Sequence, residues 1–133
     1  MSTNVHETIA EVEAILPGHA AADEEGLDPR WQAIISIADF IPAEPEAVWE
    51  FILRWGSHED ADLRTAVATV LLEHLLEHHF ADFFSRVETA VAGSALFGDT
   101  FSRCSKFGQS KQEGNFERFD RLQQKCRIAR KSR

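Results

Sequence analysis

From Leu63 onward no glycine or proline interrupts the chain until Gly93. Such a run is far longer than the average globular helix of about 11–12 residues, so a helix with a break near His79 and Phe80 is expected. Ser57, followed three residues later by Asp60, has the form of a capping box, and Glu59, Asp60 and Asp62 suit the positive end of a helix dipole. At the helical angle Leu63, Ala66, Val67, Val70 and Leu71 share one face, while Ala68, Leu72, Leu75 and Leu76 cover another. A helix apolar on two sides needs neighbours on two sides. The pattern therefore predicts an inner helix of a stacked array, polar only along the stripe Thr65, Thr69, Glu73 and Glu77.

The flanking segments are helical too. Asn4 with Glu7 reads as a capping box for a first helix through Val5, Ile9, Val12 and Leu16, which Pro17 and Gly18 end. Residues 19–27 are acidic and rich in small side chains, as in a loop. Asp28 and Pro29 open a second helix bearing Trp31, Ile34, Ile37 and Ile41, and Pro42 stops it. Pro45 opens a third, with Val48, Trp49, Phe51, Ile52 and Trp55, and Gly56 closes it. A fifth helix is expected over residues 81–92. A sixth carries Leu96, Phe97, Phe101, Cys104 and Phe107. Asn115 is the expected cap of a last helix whose apolar stripe is Phe116, Phe119, Leu122 and Cys126, with fraying beyond. No strand pattern is present.

Two of these helix starts match each other. Asp28, Pro29 and Arg30 precede Ala33, Ile34 and Ile37; Asp62, Leu63 and Arg64, 34 residues later, precede Ala66, Val67 and Leu71. Units of this kind cap themselves and stack on their neighbours. On these residues the chain resembles HEAT repeats, whose second helix commonly begins with an Asp and a nearby Arg before an Ala-rich apolar run. The resemblance implies an all-α fold, a short right-handed α-solenoid of about three helical hairpins over residues 4–108, followed by a C-terminal helix and basic tail over residues 109–133, in one domain. It also implies that Asp28, Arg30, Asp62 and Arg64 link successive repeats and that the inner helices line a concave binding surface. The third unit departs from the pattern. Asp99 comes 37 residues after Asp62, its arginine is Arg103, and no alanine follows.

Charge is segregated along the chain. Residues 1–102 hold four Arg, no Lys and 19 acids, an excess of 15 negative charges; residues 103–133 hold ten bases and three acids, an excess of seven positive charges. An acidic body steers basic partners toward itself, while a basic tail suits anionic partners or folds back on the body. Nucleic acid could be met only through tail bases such as Arg118, Arg121, Lys125, Arg127, Arg130, Lys131 and Arg133, and the acidic body would repel it. Cys104 and Cys126 are too few for a disulfide framework, the apolar runs are too short to span a membrane, and the first residues lack a secretory pattern. A cytoplasmic protein with free thiols is expected.

One string has a chemical reading. His74, Leu75, Leu76, Glu77 and His78 match the inverted zincin pattern H-x-x-E-H, in which two His hold zinc and the Glu activates water. Those peptidases resemble large α/β domains with a further distal Glu ligand, and an all-helical chain of 133 residues is too short for one. His74 and His78 also continue the face of Val67 and Leu71, as packed or interface histidines do. Strings for nucleotide binding or serine hydrolysis are absent. The sequence therefore reads as a non-enzymatic protein-binding module without cofactor or catalytic residue. Its expected partner is basic, met through Thr65, Thr69, Glu73, His74, Glu77 and His78, as in an adaptor or an immunity or antitoxin-like protein. The alternative is a metal-dependent hydrolase using His74, Glu77 and His78.

Overall fold

The computed structural model describes residues 4–18 and 28–131, which form helices and turns without a strand. The loop expected over residues 19–27 and the tail base Arg133 lie outside the described residues. Asn4 opens α1, Val5–Glu13, by accepting the amides of His6 and Glu7. Asp28 opens α2, Pro29–Ala38, by accepting the Arg30 amide, and Pro29 occupies the first turn, where no amide is needed. Helix α3, Pro45–Trp55, also starts on proline and ends at Gly56.

The long run divides into α4, Ala61–Ala66, a π-helical turn over Val67–Leu72, and α5, Glu73–Gly93. The expected break falls inside α5 at His79, where φ is −138° and ψ is 40°. The cap differs from the expectation. Asp60, rather than Ser57, accepts the amides of Asp62 and Leu63, at 3.0 and 3.1 Å. Residues 58 and 59 are held outside the helix because their carbonyls accept from the Arg64 guanidinium, at 2.8 and 2.9 Å.

Val67, Ala68, Leu71, Leu72, Leu75 and Leu76 are wholly buried, so this helix is covered from two sides. Its π turn meets α2 and α3, and also α6, Ala95–Ser102. The π turn helps, because its extra residue rotates the side chains that follow onto a second face. Beyond the kink Phe80, Phe83, Phe84 and Val87 fill the far end of the same core with Phe97, Phe101 and Phe119.

After α6 the chain departs from the expected helix. Cys104 and Phe107 lie past the end of α6: the Cys104 amide still meets the Phe101 carbonyl, but the Arg103 side chain and the Ser105 amide bond across to α4 and α5, and the chain leaves helical geometry. A short 3-10 turn, Gly108–Lys111, leads to α7, Asn115–Lys131. Asn115 is not its cap. Its side-chain amide donates to the Gln109 carbonyl, and the Glu117 carboxylate takes the Gly114 amide. Helix α7 packs on α6 through Phe119, Leu122 and Cys126, continues through Lys131, and leaves Phe116 exposed.

Candidate functional site

The matching helix starts are joined by buried arginines. Arg30 reaches from α2 to Asp60 and Asp62 at the start of α4, at 3.0 and 2.5 Å, and to its own cap Asp28 at 3.5 Å. Arg64 reaches onward from α4 to Asp99 of α6 at 2.8 Å, and Arg103 meets the same carboxylate at 3.1 Å. Amide hydrogen bonds, led by that of Leu63, together with the Arg30 guanidinium, hold the Asp60 carboxyl below its usual range despite burial. Of the residues singled out in the sequence, Arg30, Asp62 and Arg64 bridge helices, while Asp28 caps α2 and holds Arg30 from within the same helix. Asp60 and Asp99 belong to the same network. Local pattern marks Asp60 as a helix-start acid, and Asp99 falls outside the 34-residue spacing.

The polar stripe of the inner helix is not left open. Residues 103–109 run along it as a strap. Arg103 donates to Thr65 Oγ1 at 3.0 Å, and the Ser105 amide donates to the Glu73 carboxylate at 2.7 Å. Thr69 bonds back to the Thr65 carbonyl. Glu73 is only 6% exposed, and burial raises its pKa above the ordinary carboxylate value, partly opposed by the Ser105 amide. Gly108, with φ near +48°, seats its backbone on Glu77, where an added Cβ would lie 2.7 Å from Glu77 Cγ.

Gln109 completes the strap at the kink. Its Oε1 accepts the Phe80 amide at 2.9 Å and its Nε2 donates to the His78 carbonyl at 2.8 Å. These are backbone groups next to the residue that leaves helical geometry, and one primary amide satisfies both. The His79 ring contacts the Ile41 carbonyl at 3.0 Å, tying the kink to the turn after α2. Nothing in the local pattern marks Gln109, since its partners lie about 30 residues away.

At the edge of the strap, His78 is exposed and His74 and Glu77 are half-buried. Glu77 Oε1 lies 2.8 Å from His74 Nδ1 and 3.6 Å from His78 Nε2, and the His74 ring stacks on Phe107 with centroids 5.5 Å apart. Glu77 is therefore turned onto its neighbouring imidazoles. Among the described residues no three His, Cys, Asp or Glu side chains gather as a metal site. Cys104 and Cys126 are buried and form no disulfide, and burial pushes the Cys104 thiol well above its usual pKa. No described helix is long and apolar enough to cross a membrane.

Electrostatically, all four arginines of the first 102 residues are paired with acids of the same chain, two of them buried and two at the surface. Arg30 and Arg64 are buried in the joints, Arg54 pairs with Glu13, and Arg86 pairs with Glu46. Glu11, Asp39, Glu44, Glu50, Glu59 and Asp82 are exposed and make no ion pair among the described residues. In the tail, Arg118 bonds Glu88 at 2.7 Å and lies over Phe84, whereas Arg121, Lys125 and Arg127 face solvent. No protein-family model, curated protein or solved structure matches this chain.

Proposed function

We propose that the chain is a small right-handed α-solenoid acting as a non-enzymatic binding module for a basic protein. Its hairpins would be α1 with α2, α3 with α4 and the π turn, and the second half of α5 with α6, with α7 as the end cap. The repeated joint, Arg30 to Asp62 and Arg64 to Asp99, supports this arrangement, as do the contacts of α1 with α3 and of α3 with α5. One observation carries the functional reading: the positive charges of the body are consumed in internal pairs, so the acids left over project an unbalanced negative field.

The contact zone is the outer edge of the predicted stripe. His74, Glu77 and His78 are accessible there beside Phe107, while Thr65, Thr69 and Glu73 lie under or beside the strap and support it. A basic toxin neutralised by an immunity-like protein is one partner of this chemistry, and a basic adaptor target is another. The test is affinity capture from native extract at low and high salt, with the wild-type chain and with Glu77→Lys. A basic protein released by salt and held about tenfold more weakly by Glu77→Lys is expected. Recovery of chaperones alone, or of a partner indifferent to salt and to Glu77→Lys, would remove the proposal.

A further inference from the structure

Two faces of this one chain are each partly apolar and opposite in charge. On α3, Glu46, Trp49, Glu50 and Leu53 recur at helical spacing and share a side. Trp49 and Leu53 there, with Arg86, Thr89 and Ala90 of α5, line a mostly apolar groove of about 280 Å³. Leu53 is 38% exposed in it. Arg86 adds little positive charge, since two bonds to Glu46, at 2.7 and 2.8 Å, neutralise it. Glu50, beside Trp49, and Asp82, one turn before Arg86, are exposed without an ion pair among the described residues. The groove has an apolar floor and negative edges.

The matching face is on α7. Arg121, Gln124, Lys125 and Ile128 share one side of that helix, all exposed, and Ile128 is 65% exposed, the highest value among the large apolar side chains described. The opposite side, with Phe119, Leu122 and Cys126, is buried. Helix α7 cannot turn to fill the groove of its own chain. It is held against Glu88 and Phe84, which at 100° per residue each lie about 160° around α5 from Arg86.

We infer that α7 of one copy docks in the α3–α5 groove of a second copy. Ile128 packs on Trp49 and Leu53, and Arg121 and Lys125 meet Glu50 and Asp82. The mode is an amphipathic helix laid in a groove; exchanged reciprocally it closes a two-fold dimer, and passed on in one direction it extends into a chain. This self-association goes beyond the binding of a foreign basic partner and does not depend on it.

Sedimentation equilibrium of the full chain at low and high salt tests the proposal, with Leu53→Asp, Lys125→Glu and Glu50→Lys measured alone and the last two mixed. Concentration-dependent association at low salt is expected, weakened at least about tenfold by Leu53→Asp or Lys125→Glu and restored when Lys125→Glu meets Glu50→Lys. These side chains are exposed, and circular dichroism checks that each variant keeps its helix; should Leu53→Asp fail to fold, the charge-exchange mixture decides. A wild-type chain that stays monomeric overturns the inference. So does an oligomer unchanged by these substitutions, or a mixture that fails to reassociate.

Discussion

The Arg30 joint and the Arg64 joint arise from the same short pattern and end in different surroundings. The Arg30 side chain is 4% exposed, yet its partners Asp60 and Asp62 are 32% and 47% exposed. Arg64 and Asp99 are 8% and 7% exposed, and Arg64 also holds two carbonyls. Removing an arginine therefore leaves hydrated acids in one case and a buried acid in the other. A repeated motif can thus have unequal energetic weight, set by the solvent access of its partners.

The largest effect is expected from Arg64→Ala, which takes the Arg64 guanidinium from the buried Asp99 carboxylate and costs about 3–5 kcal/mol in urea unfolding. Arg30→Ala is expected to cost less, about 1.5–3 kcal/mol, because Asp60 and Asp62 regain water. Equal losses for the two variants would break the comparison, since partner exposure would then not be the controlling difference.

Acid sharpens it next. The Asp60 pKa is lowered in the fold, so its contribution is fully present above the unfolded carboxylate value and is lost as pH falls through the folded one. The stability gap between wild type and Arg30→Ala should narrow over that window. Glu73 has the opposite sign. Its pKa is raised, so wild-type stability declines as pH rises from the unfolded value through the folded one, and Glu73→Gln should flatten that decline. Thermal melts across the weakly acidic range read both slopes, and an unchanged slope in Glu73→Gln would contradict the burial of that carboxylate.

The smallest effect belongs to the neutral junction at the kink. Gln109→Ala removes both bonds to the bent helix and is expected to cost about 1 kcal/mol, with no dependence on salt, because its groups are uncharged and partly hydrated. A salt-sensitive loss would mean that the strap is held by its charges instead.

Much of the architecture was legible in local pattern. Asn4, Asp28 and Pro45 start helices where their side chains and rings are locally suited to do so, and the absence of Gly and Pro from residue 64 to residue 92 demanded one long bent element. The misreadings share a cause. Ser57 lost the cap to Asp60 because Arg64 captured the intervening carbonyls, and Cys104 and Phe107 left helical spacing because Glu73 and Thr65 offered bonds from another element.

Of the candidate surface, the sequence marked the residues, and the fold decided which of them meet solvent. Composition and helical period are properties of neighbours along the chain, so they determined the helices, the two-sided burial of the inner one and the separation of charge. Only tertiary structure could decide that residues 103–109 cover Thr65 and Glu73, that one Gln mends the kink, and that Asp99 is the buried partner of Arg64. Each of those pairings joins groups some 30 or more residues apart, and its energy depends on the water that packing removes.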